Sequence, residues 1–469
     1  VSNSATAVGG RFLRLGIGEA GARVLSFGAT VYLAHTLGAS TYGVIAVATT
    51  VVMYLAFVAD CGMDMLGVRE VAAHPSALPD TLPPILGARF LVALLLVAVT
   101  AFIALTVMPR PDGPVLVAYS MTLFAVALGT RWVHLGLEQP GNASWARVLS
   151  EASAALVVLA TVHRPEHLLR VPLAQVAGEM LGAVFLLRLL PVAVRPRRLA
   201  IGLGVIAPLI TRSWPLVLHG LLGLAIFNSD LLFLRTLRDS AEVGYYAIAY
   251  TLISFFQNLG VNYTVSLIPS IARLRSDPRQ SQHLFEGAMA QVFAGGLPVT
   301  VGGILVAASL IAFIFGPSYA PSVVPLQVLL LIVPVSLFRN VAQAVLIAYE
   351  RQDLMLRTVV WAAAVNVLLN ILLISRWGML GAAVATVITE AVRTVLALHY
   401  ARRLGLAMAP LHRFARAAAA AVAMAIPVWT LSDRSVILSI PVGAVAFVIA
   451  LWGTGGIRLQ RGAWPQLTV

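Results

Sequence analysis

The chain is 469 residues long, 59% hydrophobic and only 11% charged, with a mean hydropathy of +0.91. A net charge of +13 would suggest nucleic acid in a soluble protein, but so apolar a composition excludes a soluble fold, and the charge sits mainly in short connections between apolar runs. The lone cysteine, Cys61, rules out an intrachain disulfide.

The apolar runs predict an all-α polytopic membrane protein with about fourteen transmembrane helices, since about 20 residues cross a bilayer and lipid leaves no other way to satisfy the backbone. The spans are placed near 12–37, 42–66, 86–108, 114–137, 143–163, 171–194, 214–236, 243–268, 288–315, 322–348, 356–376, 379–400, 412–431 and 435–457. The first apolar segment carries Glu19 and Arg23 and has no convincing cleavage site, so no cleaved signal peptide is expected. Connections alternate between very short ones, such as Gly38–Thr41 and Phe315–Ser322, and longer ones, such as Arg195–Ser213 and Arg273–Glu286. Within Arg195–Ser213, Leu199–Ile210 is mostly apolar and is expected to lie as a helix at the membrane interface. Gly202 and Gly204 there do not make a nucleotide site, because no strand precedes them and the downstream acid is missing.

All 32 basic residues are arginine. Taking alternate connections from the N-terminus, one set holds about twenty, Arg69, Arg89 and Arg147 among them. The other holds about seven: Arg110, Arg164, Arg170, Arg235, Arg238, Arg376 and Arg434. This asymmetry predicts an inner-membrane protein with both termini in the cytoplasm. Five arginines remain inside spans: Arg23, Arg131, Arg188, Arg339 and Arg393.

An internal echo divides the chain. Thr36-Leu37 with Tyr42-Gly43 recurs as Thr236-Leu237 with Val243-Gly244, and Leu137-Glu138-Gln139 recurs as Tyr349-Glu350-Arg351. The copies lie six spans apart, an even number, so both cross the membrane in the same direction. Two six-helix lobes related by a pseudo-two-fold axis along the membrane normal are expected, with two additional C-terminal helices. The corresponding domains are 1–200, 201–403 including the interfacial helix, and 404–469.

Several short motifs, in order, carry a resemblance. Leu33-Ala34-His35-Thr36-Leu37-Gly38, Tyr42-Gly43, Gly62 and Arg69-Glu70 resemble the opening of polysaccharide flippases of the O-antigen type. Asp230 with Val243-Gly244-Tyr245-Tyr246 looks like that family's signature at spans 7 and 8. Phe315-Gly316-Pro317-Ser318-Tyr319, the Asn366 to Asn370 segment and Gly378-Met379-Leu380-Gly381-Ala382-Ala383 resemble its second lobe. The chain departs at His35, where the family commonly has Arg. The resemblance implies the fold shared with lipid II flippases and multidrug exporters, and a lipid-linked, pyrophosphate-bearing oligosaccharide as substrate.

Ionisable groups within spans are costly and should face a cavity or a partner. Glu19 and Arg23 lie four apart on one helix face, so they either neutralise each other or present Arg23 to a cavity. Arg131 with His134, Arg339 with Asn340 and Gln343, and Arg393 with Glu390 have the same character. A guanidinium fork matches a pyrophosphate oxygen array, which makes Arg23, Arg131, Arg339 and Arg393 candidate substrate contacts. Asn258, Asn366 and Asn370, with Asn228, Gln257 and Asn262, would meet sugar hydroxyls or simply bond helix to helix. Glu19, Glu151, Glu179 and Asp230 are candidates for coupling to H+ or Na+. Asp60 and Asp64, near the inner end of span 2, are expected to meet water and Arg69.

No enzyme constellation, metal-ligand spacing or cofactor motif is present, and outer connections are too short for a catalytic domain. The expected partners are the lipid-linked oligosaccharide, membrane lipids, and polymerase and glycosyltransferases of the same pathway, with no nucleic acid. The reading is a flippase working by alternating access. The alternatives are a cation-coupled multidrug exporter, which would want more acid in its cavity, and an oligosaccharide polymerase or ligase, which would want larger outer loops.

Overall fold

The computed structural model describes the backbone of residues 2–196, 198–202, 204, 208, 211, 229–432, 434–458, 466 and 467, with the side chains of 2–15, 17, 258, 259, 262, 457, 458, 466 and 467 also outside the described residues. Asn228, half of the expected interfacial helix 199–210 and most of span 7 therefore lie outside them, and residues 199–202 of that expected helix are not helical. The chain divides into two compact units, Val1–Leu224 and Ala225–Val469. Among the described residues, ten helical bodies are long and apolar enough to cross a membrane. Two of these, Gly18–Asp60 and Gln352–Arg403, are each broken by a glycine of positive φ, Gly38 (75°) and Gly378 (54°). The chain is a multi-pass membrane protein.

The first unit contains α1 (Ser2–Asp60, kinked at Gly38), α2 (Met63–Ala73), α3 (Leu78–Val107), α4 (Asp112–Ser120), α5 (Thr122–Leu128), α6 (Arg131–Gly136), α7 (Pro140–Thr161) and α8 (Arg170–Leu189). The single apolar run expected as span 4 is thus three short helices, interrupted at Met121 and at Gly129–Thr130. A helix break leaves carbonyls without partners, which must be met inside a membrane. Arg89 bonds to this break: one terminal nitrogen donates to the Gly129 carbonyl at 3.3 Å, and the other at 2.6 Å to the Val126 carbonyl, which also accepts the Gly129 N–H at 3.2 Å. The same guanidinium pairs with Asp60 at 3.3 Å and Asp64 at 2.9 Å. Arg89 is thus a buried staple inside α3, not a loop cation, and it takes the place expected for Arg69 beside the two aspartates. Met63, Leu82, Leu86, Trp132 and Val133 pack together at this end of the unit. Gly67 lies against the Trp132 ring so closely that a Cβ would sit 2.4 Å from it.

The second unit contains α9 (Ser229–Leu237), α10 (Ser240–Leu274), α11 (Pro278–Phe315), α12 (Val323–Leu330), α13 (Ile332–Ala348), α14 (Gln352–Leu369), α15 (Ser375–Arg403), α16 (His412–Ser432) and α17 (Val436–Gly453). A π-helical turn, Asn370–Ile374, joins α14 to α15. Phe285, Met289, Val341, Val345, Ala397 and Ala401 form one core. The alanine run of α16 packs Ala417, Ala420 and Ala421 against α11 and α17, where small side chains allow close helix approach. Among the described residues the only strands are a two-residue antiparallel ladder, Ile457↔Leu467 and Arg458↔Gln466.

The second echo is one turn built twice. Glu138 and Glu350 are non-glycine residues at φ 57° and 58°. Each follows a helix end closed the same way: Leu137 N–H donates to Val133 and Tyr349 N–H to Val345, both at 2.9 Å. Gln139 N–H then reaches back to His134 at 2.7 Å and Arg351 N–H to Leu346 at 2.8 Å. This is a helix stop with a left-handed residue, supplied by glutamate rather than glycine.

Candidate functional site

Two arginine–glutamate clusters and one cluster rich in hydroxyls and amides lie within the membrane-spanning helices. In the first unit, α1 packs along α7, and α7 along α8. Glu19 does not pair with Arg23 one turn along its own helix; it accepts from Arg131 of α6 at 2.8 Å. Arg23 is exposed and makes no hydrogen bond or ion pair among the described residues. Arg147 is counted among loop arginines by sequence, yet it lies inside α7 and joins two candidate acids, Glu151 at 2.7 Å and Glu179 of α8 at 3.1 Å. Gln175 also donates to Glu179 at 3.3 Å. The Arg147–Glu151 spacing of four was the available signal for this pair. The arginines remain accessible: the Arg131 side chain is 45% exposed and that of Arg147 40%. Partial pairing restrains each guanidinium while leaving donors free for an anion.

His134 lies beneath Arg131 on α6 and is buried. Its Nε2 meets the Leu186 carbonyl at 3.0 Å and its Nδ1 the Asn142 amide nitrogen at 3.2 Å, so it bonds α6 to α7 and α8.

In the second unit, Arg339 of α13 and Arg393 of α15 share the Glu390 carboxylate. Arg339 Nε donates to one oxygen at 2.9 Å and Arg393 donates to the other at 2.5 Å. Arg339 also donates to the Gln343 side chain at 2.9 Å. The three charged side chains are 7%, 5% and 2% exposed, so this triad holds α13 to α15 in a closed setting.

The third cluster gathers around Asp230. Its carboxylate accepts from the Tyr246 hydroxyl, from the Thr386 hydroxyl at 3.2 Å and from the Leu231 N–H at 3.2 Å. Beside it, Ser229 donates to Asn366 Oδ1 at 2.8 Å, and Asn370 donates to the same oxygen at 3.0 Å. Asn366 in turn donates to Thr389 at 3.3 Å. Asn366 and Asn370 are buried and bond α9, α14 and α15 together. Asn370 Oδ1 is buried with no hydrogen-bond partner among the described residues. The π-helical turn starts at Asn370, and Arg238 donates to the carbonyls of Ile374 at 3.2 Å and Ser375 at 2.8 Å at its far end. The Asn258 side chain lies outside the described residues. No group of three or more metal-ligating side chains occurs among the described residues.

Residues 12–275 match the family described as polysaccharide biosynthesis protein. The probable flippase AglR of Haloferax volcanii is 25% identical over 235 residues, 49% of this chain and 49% of that protein. The match thus spans about half the length of that curated relative. A structure of the lipid II flippase MurJ in an inward closed conformation superposes with a TM-score of 0.71 at 13% identity, covering 93% of this chain and 97% of MurJ. An inward-facing multidrug resistance MATE family transporter of the MOP superfamily gives 0.63 at 14% identity, covering 84% and 98%. The fold is therefore the one these transporters share, and on the family match the chain belongs to the polysaccharide biosynthesis protein family.

Proposed function

We propose that the chain flips a lipid-linked pyrophosphate oligosaccharide from the inner to the outer leaflet of the plasma membrane, for surface polysaccharide assembly. Its two lobes alternate between inward-open and outward-open states, and no chemistry is done on the substrate. The observation that carries this reading is the accessible pair Arg131 and Arg147, each restrained by glutamate within membrane helices of a polysaccharide biosynthesis family member. A fork of guanidinium donors held by a partner at one edge can engage phosphate oxygens at the other. Arg23, exposed on the same face of α1 as Glu19, adds a third cation. Arg339 and Arg393 are buried on Glu390 and would contact substrate only after that carboxylate is displaced.

Asp230 is the coupling candidate the geometry favours. Its described partners are hydroxyls and a backbone amide rather than an arginine, and the unpartnered Asn370 Oδ1 is close by through Asn366. Such a carboxyl can exchange a proton or a cation with each transport cycle. Glu19, Glu151 and Glu179 are each held by an arginine and fit positioning better. The C-terminal pair α16 and α17 is assigned to the lipid tail, and both termini to the cytoplasm.

The test is reconstitution in vesicles carrying a fluorescent polyprenyl-diphosphate glycan. Protein-dependent movement between leaflets, lost in Arg131→Ala and Arg147→Ala, is expected. Extrusion of cationic dyes without glycan-lipid movement would replace this reading with the multidrug one.

A further inference from the structure

A second feature of the first unit lies away from the charged clusters. The ends of α3, α4 and α8 that carry Arg110 and Arg170 enclose an open apolar groove of about 320 Å³. Leu105, Val117, Ala118, Met121, Leu169 and Leu173 line it. Leu105 is two residues from the end of α3, and Leu169 and Leu173 flank the start of α8. Along α4 the lining runs from Pro114 to Met121, seven residues or about 10 Å from the helix end. Leu105, Leu169 and Leu173 are exposed along it.

The rim carries three exposed arginines against one exposed acid. Arg110 sits in the connection between α3 and α4, and Arg170 opens α8, both exposed. Arg164 lies exposed in the connection that leads to α8. These are three of the seven arginines in connections predicted to be outer. Asp112 is buried, which leaves Glu166 as the exposed acid of these two connections. Arg170 donates to the Thr161 carbonyl at 2.7 Å through one terminal nitrogen, which leaves its other nitrogens available. Neither Arg110 nor Arg164 makes an ion pair among the described residues.

We propose that this groove is a binding site for one anionic glycerophospholipid, with an acyl chain along Leu105, Val117, Met121 and Leu173 and the phosphate on Arg110 and Arg170. The apolar length below and the cationic rim above match one amphiphile: a chain that enters the hydrocarbon and a head that carries charge at the interface. Burial of methylenes holds the chain, while the arginines select the headgroup. The site is independent of the transport reading, because its residues belong to neither charged cluster.

Native mass spectrometry of the purified full chain, titrated with phosphatidylglycerol and phosphatidylcholine of the same acyl chains, tests this. The wild type should retain phosphatidylglycerol in preference. An arginine near a phosphate headgroup is worth about fivefold, so Arg110→Gln should lower the preference about fivefold and the Arg110→Gln, Arg170→Gln pair by about 30-fold. Ala118→Phe, which fills the groove, should lower retention of both lipids alike. Arg110 lies in an exposed connection, so its variant separates headgroup selection from folding should the double variant be unstable. Equal retention of the two lipids by wild type, or a preference unchanged in Arg110→Gln, would overturn the proposal. So would displacement of phosphatidylglycerol by equimolar polyprenyl phosphate, which would give the groove to the carrier lipid instead.

Discussion

Arg131 donates to Glu19 at 2.8 Å across 112 residues of sequence, from α6 to α1. Both side chains are partly exposed, so solvent screens the pair and its contribution to stability is about 1 kcal/mol or less. Glu19→Gln is therefore expected to leave the melting temperature within a few degrees of wild type. Arg131→Ala should lower glycan-lipid transport by about tenfold or more, the equivalent of one charge-assisted hydrogen bond to pyrophosphate. Arg131→Lys should recover part of that, since ammonium keeps the charge but not the fork. Transport rates at matched protein level decide the matter; an Arg131→Ala variant with the wild-type rate would remove the residue from the mechanism.

Arg89 has the opposite character. Its side chain is 3% exposed, and it bonds Asp60, Asp64 and two carbonyls at the break between α5 and α6. Arg89→Ala should destabilise the chain by about 2–3 kcal/mol, since two carbonyls and the partly buried Asp60 lose their donor while the half-exposed Asp64 is left to solvent. Thermal unfolding in detergent should show it, and Arg89→Lys should rescue little, because one ammonium cannot span both carbonyls and both carboxylates.

Glu390 answers for two arginines at once. Glu390→Gln leaves two buried guanidinium groups sharing one neutral amide, and a loss of about 3–5 kcal/mol is expected. The double change Arg339→Met, Glu390→Leu should cost less than Glu390→Gln alone, since it removes one charge of each sign together. Melting temperatures of the two variants compared at equal detergent provide the check.

Gly378 is required by conformation and by space. Its φ is 54°, and a Cβ there would lie 2.1 Å from Glu242 Oε2, the oxygen that accepts the Met379 N–H at 2.8 Å. Gly378→Ala should cost about 1–2 kcal/mol for the backbone alone, and more for the displaced glutamate. Glu242→Ala in the same background should relieve the steric part, which a double-mutant cycle measures.

Asp230→Asn should keep the fold, because an amide oxygen still accepts from Tyr246 and Thr386, while transport driven by an ion gradient should fall to the gradient-free rate. Tyr246→Phe removes one donor and should cost about 1 kcal/mol without ending transport. A gradient-dependent rate in Asp230→Asn equal to wild type would take Asp230 out of coupling.

Hydropathy by itself determined that the chain is helical and crosses the membrane many times, because lipid permits no other backbone. The echo around Glu138 and Glu350 was legible as well, since a helix stop is a local structure and both copies adopt it. Which charges meet was decided by tertiary structure. Helical spacing places Glu19 and Arg23 on one face, but helix packing sets whether Glu19 finds a neighbour on its own helix or on another, and it finds Arg131. The breaks at Met121 and Gly129 were hidden for a related reason. Hydropathy averages over a run and does not register a lost hydrogen bond within it. Arg89, which makes that break tolerable, reads in sequence as one more arginine near the end of a span. Its role exists only where α3 passes the carbonyls of Val126 and Gly129, a juxtaposition set by long-range packing.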